Sequence, residues 1–246
     1  MRLLNGTPLA LALPEAFLYH GASVFTTLRA EGGRPLWLEE HLARLRRHAL
    51  ALGLSYPGDE AFLEDLEALL RAFPKAPCLR LRFTVGEGVR LSEVRPYAPL
   101  PLSLYREGVR VRLTGYRVHP DLARYKTGNY LPYRLALEEA RKEGAFEGLL
   151  LDAFGHVVDG SRTSPRLFRE GTLYRLEGGL EGITREKVAE AARGLGLRVE
   201  RGLFRPEGLR GHLLLAGSGV GLLPVGPPPA ELLPLIERFL PACYTE

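Results

Sequence analysis

The sequence predicts a mixed α+β protein in two parts, residues 1–113 and 123–246, joined by a linker at 114–122. Three observations predict it. Apolar residues recur at three- and four-residue spacing in stretches long enough for helices. Elsewhere they alternate strictly, as in half-buried strands. Between the two parts, "GYRVHPDLARYKTG" carries Gly115, Pro120 and Gly128 without a clear period, as a connecting segment does. A length of 246 residues with 46% hydrophobic content supports one large cored domain or two smaller ones.

The elements follow in order. "RPLWLEEHLARLRRHALALGL" reads as a short strand and then a helix from about Glu39. Leu42, Leu45, Ala49 and Leu52 form its apolar stripe, and Gly53 stops it. "DEAFLEDLEALLRAF" is a second amphipathic helix, with Phe62, Leu66, Leu69 and Phe73 on one face. "CLRLRFTVG" alternates, Leu79, Leu81, Phe83 and Val85 against Arg80, Arg82 and Thr84, and "VRVRLTG" repeats the pattern from Val109 to Leu113. Both are expected to be half-buried antiparallel strands. After the linker a helix starts near Leu131, with Pro132 in its first turn. "EGLLLDAFGHVVDGS" reads as a hairpin turning near Phe154-Gly155. "TREKVAEAARGLG" is a helix with Thr184 as its N-cap. "LRVERGLF" and "HLLLAG" are strands, and "VGPPPAELLPLIERFL" is a proline-started helix.

Composition narrows the function classes. The formal net charge is +4, and basic residues are spread along the chain, which speaks against nucleic acid and suits a small anionic substrate. No apolar run approaches membrane-spanning length. Asn5-Gly6-Thr7-Pro8 breaks the start of the chain, so no signal peptide is read and a cytoplasmic protein is expected. Cys78 and Cys243 lack metal-ligand spacing, and two distant cysteines do not imply a disulfide framework. Glutamine is absent and asparagine occurs twice. That pattern fits a thermophilic source or a biased base composition.

Four of the 33 basic residues are lysines, and one of them, Lys126, stands in "ARYKTGNYLPY". Arginine stays protonated, whereas lysine can become a nucleophilic amine and start Schiff-base chemistry. Lys126 is either that amine or a surface lysine in a loop. Three further stretches suit an anion. "AGSGVGLLPVG" lacks the following helix of a dinucleotide site and the glycine two before the serine of a hydrolase elbow. What remains is the Ser218 hydroxyl with flexible amides at Gly219, or a tight turn. "GITREKV" is either a helix start for phosphate, with Gly182, Ile183 and Thr184, or an ordinary cap. Arg44, on the polar side of its helix, is by itself a solvated charge. Asp159, in "HVVDGS", either caps a turn or pairs with a protonated ring nitrogen.

An amine lysine, three phosphate-capable segments and a carboxylate are what pyridoxal phosphate requires. Their order resembles the fold-type-IV pyridoxal-phosphate enzymes. The matching segments are "HGASVFTTLR", "EEHLARL", "KTGNY", "VVDGS", "GITR" and "GSGVGLLPV", spread over almost the whole chain. The resemblance implies a two-domain fold of mixed sheets with flanking helices and a homodimer with its site between the domains. It implies that Lys126 carries pyridoxal 5′-phosphate and Tyr130 lies beside it. Arg44, Ile183 with Thr184, and Ser218 with Gly219 hold the phosphate, and Asp159 faces the pyridine nitrogen where the family usually has glutamate. Phe25-Thr26-Thr27 is similar to the lyase branch. That implies conversion of aminodeoxychorismate to 4-aminobenzoate and pyruvate, with amino transfer from branched-chain or D-amino acids, or a non-catalytic member, as alternatives. Arg29, Arg90, Arg95 and Arg124 are the candidates for gripping substrate carboxylates.

Overall fold

A computed structural model describes residues 3–4, 7–8 and 14–242. Asn5, Gly6 and Cys243 lie outside the described residues. Strands β1 (Leu3–Leu4) and β2 (Thr7–Pro8) pair antiparallel, and a short helix α1 (Glu15–Tyr19) follows.

The first large sheet holds β3 (Ser23–Glu31), β4 (Arg34–Pro35), β5 (Cys78–Gly86) and β6 (Val89–Pro96) in the order β4-β3-β5-β6, antiparallel throughout. The alternation read in β5 holds over its first half: Leu79, Leu81, Phe83 and Val85 are buried, Arg80 is exposed and Arg82 half-buried, but Thr84 is buried as well. Helices α2 (Leu38–Ala51) and α3 (Asp59–Arg71) lay their apolar stripes on this sheet. Leu42, Leu45, Phe62 and Leu66 join Leu28, Leu81 and Phe83 in one core. The Phe62 and Phe83 rings sit 5.2 Å apart, so area burial and ring contact both stabilise the union.

Past a one-turn helix α4 (Ser103–Glu107), the chain enters β7 (Val111–Arg117). Here the structure corrects the expectation. β7 pairs parallel, not antiparallel, with β8 (Glu147–Leu151), which pairs antiparallel with β9 (Val157–Gly160). A parallel pair needs a crossover. Helix α5 (Leu131–Lys142) supplies it, with Pro132 in its first turn. Thr114 to Arg117, expected at the start of the linker, continue β7, and Leu113 is exposed instead of inward-facing.

The last sheet combines β10 (Ser164–Arg169), β11 (Thr172–Leu176), β12 (Arg198–Gly202), β13 (His212–Gly217) and β14 (Gly221–Pro224) in the order β12-β11-β10-β13-β14. Helix α6 (Ile183–Gly194) makes the crossover between the parallel strands β11 and β12. α6 and α7 (Leu233–Glu237) close the core over Leu214, Leu215, Leu222 and Leu223. The N-cap of α6 is Gly182, so Thr184 is not the cap; it is the second helical residue. Cys78 is disulfide-bonded.

Candidate active site

A cavity of about 470 Å³ opens where β3, β5, the start of α5, β9, the start of α6 and the β13–β14 turn converge. Arg44, Lys126, Tyr130, Asp159, Ile183, Thr184, Ser218 and Gly219 all line it. Residues scattered over 176 positions of sequence are thus brought to one space.

Lys126 is fixed by its main chain. Its carbonyl accepts the N–H of Phe25 at 2.8 Å, and its own N–H donates to Nδ1 of His48 at 3.1 Å. Thr127 bridges to Val24, and the N–H of Gly128 donates to Ser23. A Cβ on Gly128 would stand 2.4 Å from Ser23 Oγ, so only glycine allows this close approach. The Lys126 amine donates to Tyr130 Oη at 2.8 Å and lies 4.8 Å from the centroids of both the Phe25 and Tyr130 rings. Burial, then the charge of Arg44, push its pKa well below the usual lysine range, while Asp159 opposes the fall. A lysine so placed readily gives up its proton.

Asp159, at the end of β9, is buried and accepts the N–H of Gly160 at 3.1 Å. Burial raises its pKa, and the charge of Lys126 works against that rise. Tyr133 hydrogen-bonds to it and stacks on Tyr130 with centroids 4.3 Å apart. The segment after Asp159 is tied down by Glu147, a fully buried carboxylate that accepts from Ser161 and, at 2.8 Å, from Thr163.

Arg44 is 4% exposed and therefore not the solvated charge its helix face suggested. It donates to Thr26 Oγ1 at 2.9 Å, and Thr26 Oγ1 is 2.6 Å from His41 Nδ1. Burial and the Arg44 charge hold His41 neutral; Thr26 Oγ1 accepts from Arg44 and shares a hydrogen bond with the imidazole, whose tautomer sets its direction. The reason is a second stripe on α2. His41, Arg44 and His48 recur at helical spacing beside the apolar stripe, and all three are buried.

Arg44 Nε is buried without a partner among the described residues. Such a donor is costly unless an anion takes it. Thr184 Oγ1 comes within 3.5 Å of Ser218 Oγ, joining the start of α6 to the β13–β14 turn. A Cβ on Gly219 would meet nothing within 4 Å, so the turn stands open. Three successive carbonyls of that turn are held from outside. Ser218 accepts from Arg29 at 3.3 Å, Gly219 from Tyr97, and Val220 from Tyr105 at 2.8 Å. A guanidinium with an unpartnered Nε, two hydroxyls and a helix start fit a phosphate group.

The structure also redistributes the candidates for substrate carboxylates. Arg29 lines the cavity. Arg90 instead pairs with Asp65 at 3.3 Å, Arg95 pairs with Glu93 at 3.5 Å, and Arg124 lies over Tyr125. Arg80 and Arg82, expected only as the polar face of β5, line the cavity. Their alternation was the one signal in the sequence.

The sequence profile of the family described as Amino-transferase class IV matches residues 23–226. The chain belongs to the class IV aminotransferase family. Among its relatives, the aminodeoxychorismate lyase of Bacillus subtilis is 30% identical over 216 residues, 79% of this chain and 72% of that protein. A crystal structure of a candidate 4-amino-4-deoxychorismate lyase is 98% identical, with a TM-score of 0.97 over 99% of this chain and all of the other. A branched-chain amino acid aminotransferase of T.th., solved with pyridoxamine 5′-phosphate, is 27% identical, with a TM-score of 0.79 over 90% of this chain and 85% of that one. The fold-type-IV architecture is therefore shared between lyases and aminotransferases of class IV, and the chain is an enzyme of that family. Among the described residues, no helix is long and apolar enough to cross a membrane.

Proposed function

We propose that this class IV enzyme is a pyridoxal-phosphate-dependent 4-amino-4-deoxychorismate lyase that releases 4-aminobenzoate and pyruvate. One observation carries the reading. Among the described residues, seven arginines line the cavity against a single lining carboxylate, Asp159; Arg29, Arg82, Arg134, Arg162 and Arg185 also pair with glutamates outside the lining, whereas Arg44 and Arg80 have no carboxylate within 4.0 Å. A phosphate dianion offsets part of that positive charge. The surplus suits a substrate with two carboxylates better than a branched-chain amino acid with one. The 98% identical candidate lyase points the same way.

The chain's own groups divide the work. Arg44, the start of α6 with Ile183 and Thr184, and the turn at Ser218-Gly219 hold the phosphate. Asp159 would pair with the ring nitrogen, and Tyr130 would lie beside the ring. Pyridoxal 5′-phosphate, when bound, supplies an electron sink for the substrate carbon that bears the amine. Lys126 Nζ, its pKa lowered to about 7 by burial, takes the proton from that carbon. Enolpyruvate leaves from the adjacent carbon with the bonding pair, the ring becomes aromatic, and a proton delivered to the enol carbon gives pyruvate. The functional unit is a cytoplasmic homodimer from a thermophilic source, and each subunit divides into two parts, the cofactor-binding part spanning 123–246 together with β7, which pairs with β8.

A product assay tests the reading. Incubated with aminodeoxychorismate and no 2-oxo acid, the enzyme should release pyruvate and 4-aminobenzoate in equal amounts. Absence of pyruvate, with amino transfer from branched-chain or D-amino acids instead, would replace the lyase by an aminotransferase.

A further inference from the structure

We propose that Arg82, with Arg80 beside it on β5, holds a carboxylate of the substrate and so selects a dianionic amine over a branched-chain amino acid. The inference rests on the lyase reading above and deepens it.

The placement of Arg82 carries the proposal. Its guanidinium carbon lies 3.7 Å from the centroid of the Phe25 ring, close enough for the planar group to be held by stacking. The same ring lies 4.8 Å from Lys126 Nζ. Both the amine that does the chemistry and the guanidinium are therefore in reach of one aromatic side chain, at most about 8.5 Å apart by the sum of the two distances. A carboxylate on Arg82 would belong to a molecule whose reacting carbon is at Lys126.

The partners of Arg82 leave it available. Its Nε reaches Thr84 Oγ1 at 3.4 Å and stands 3.9 Å from a Glu93 oxygen. Both contacts are long for a guanidinium, which prefers a close, two-pronged carboxylate. A second recess of about 180 Å³, lined by Arg80, Arg82, Glu93 and Arg95, shares Arg80 and Arg82 with the main cavity. Three arginines against one glutamate make that recess an anion site. Sheet register builds it: Arg80 opposes Arg95 and Arg82 opposes Glu93 across β5 and β6.

The phosphate grip lies elsewhere, on α2, α6 and the β13–β14 turn, so Arg82 is surplus to the cofactor. A branched-chain substrate has an apolar side chain and would leave Arg82 with only its long contacts to Thr84 and Glu93.

Chorismate tests this without turnover. It carries both carboxylates but a hydroxyl in place of the amine, and it can be titrated into the holoenzyme calorimetrically. Arg82→Leu should weaken chorismate binding by about tenfold or more, the loss of a charged hydrogen bond. It should raise KM for aminodeoxychorismate similarly, with kcat and the cofactor absorbance band little changed. Arg82→Lys, which keeps charge without the fork, should recover part of the loss. Unchanged chorismate affinity in Arg82→Leu, or a fall in kcat alone, would show that Arg82 merely props Phe25 and would overturn the proposal. So would a wild-type holoenzyme that does not bind chorismate. Wild-type enzyme that binds chorismate yet yields no pyruvate from aminodeoxychorismate would sink the lyase reading and leave the Arg82 site standing.

Discussion

His48 accepts the main-chain N–H of Lys126 on Nδ1 at 3.1 Å. A residue of α2 thereby anchors Lys126, 78 positions further along the chain. The contact requires a neutral imidazole with Nδ1 unprotonated. Burial, then the charges of Arg44, Arg47 and Lys126, push the His48 pKa down to about 3.

That shift has a sign. The unfolded chain protonates His48 below about pH 6.5, while the folded chain resists until about pH 3. Between those values the unfolded state binds more protons, so folded stability is lost as pH falls through the window. His48→Asn keeps an acceptor near Nδ1 and does not titrate. Wild type should therefore lose Tm relative to His48→Asn as pH drops from about 6.5 towards about 3. Parallel Tm curves for the two proteins would show that His48 does not titrate against folding.

Arg44→Ala should weaken pyridoxal-phosphate binding by about 1.5–3 kcal/mol, the worth of a charged hydrogen bond. Arg44→Lys should fall between, because a point charge replaces the fork. Equilibrium dialysis of cofactor against the apoprotein measures this. Affinity equal to wild type in Arg44→Ala would place the phosphate elsewhere.

Asp159→Asn removes a charge and keeps the size. Turnover per bound cofactor should fall far more than cofactor affinity, because the phosphate grip is untouched. The variant also removes the one carboxylate opposing the fall in the Lys126 pKa, so in the apoprotein the amine should titrate at lower pH than in wild type. If Asp159 only caps the turn before Gly160, the variant would lose some thermal stability and keep its turnover.

Gly128→Ala forces a methyl to within 2.4 Å of Ser23 Oγ. The expected cost is about 1–3 kcal/mol, typical of overpacking. Adding Ser23→Ala removes the clashing oxygen and should recover part of that loss, a coupling that a double-mutant cycle in urea measures. Strict additivity of the two changes would contradict the contact.

Much of this architecture is legible in the sequence wherever one face is wet. The apolar stripes of α2 and α3, the alternation of β5 and the turn at Gly155 each follow from local pattern. β10 is not legible as a strand, because Ser164 to Phe168 are all buried, Pro165 and Arg166 included, and no alternation survives two covered faces. β7 is legible as a strand, but its parallel partner β8 is a tertiary choice made through α5. Resemblance assigns Arg44 to the phosphate, and helix face assigns it to solvent. The face argument fails because the polar stripe of α2 is buried against the site. Arg82 shows only as one side of an alternating strand, since its stacking on Phe25 depends on β3 pairing with β5.

The account turns on Lys126 as the residue that carries the cofactor. The holoenzyme should be reduced with borohydride, digested and mapped by mass spectrometry. The pyridoxyl mass should sit on Lys126 at close to one per chain. A pyridoxyl mass on Lys75, Lys142 or Lys187 with Lys126 unmodified would contradict the account.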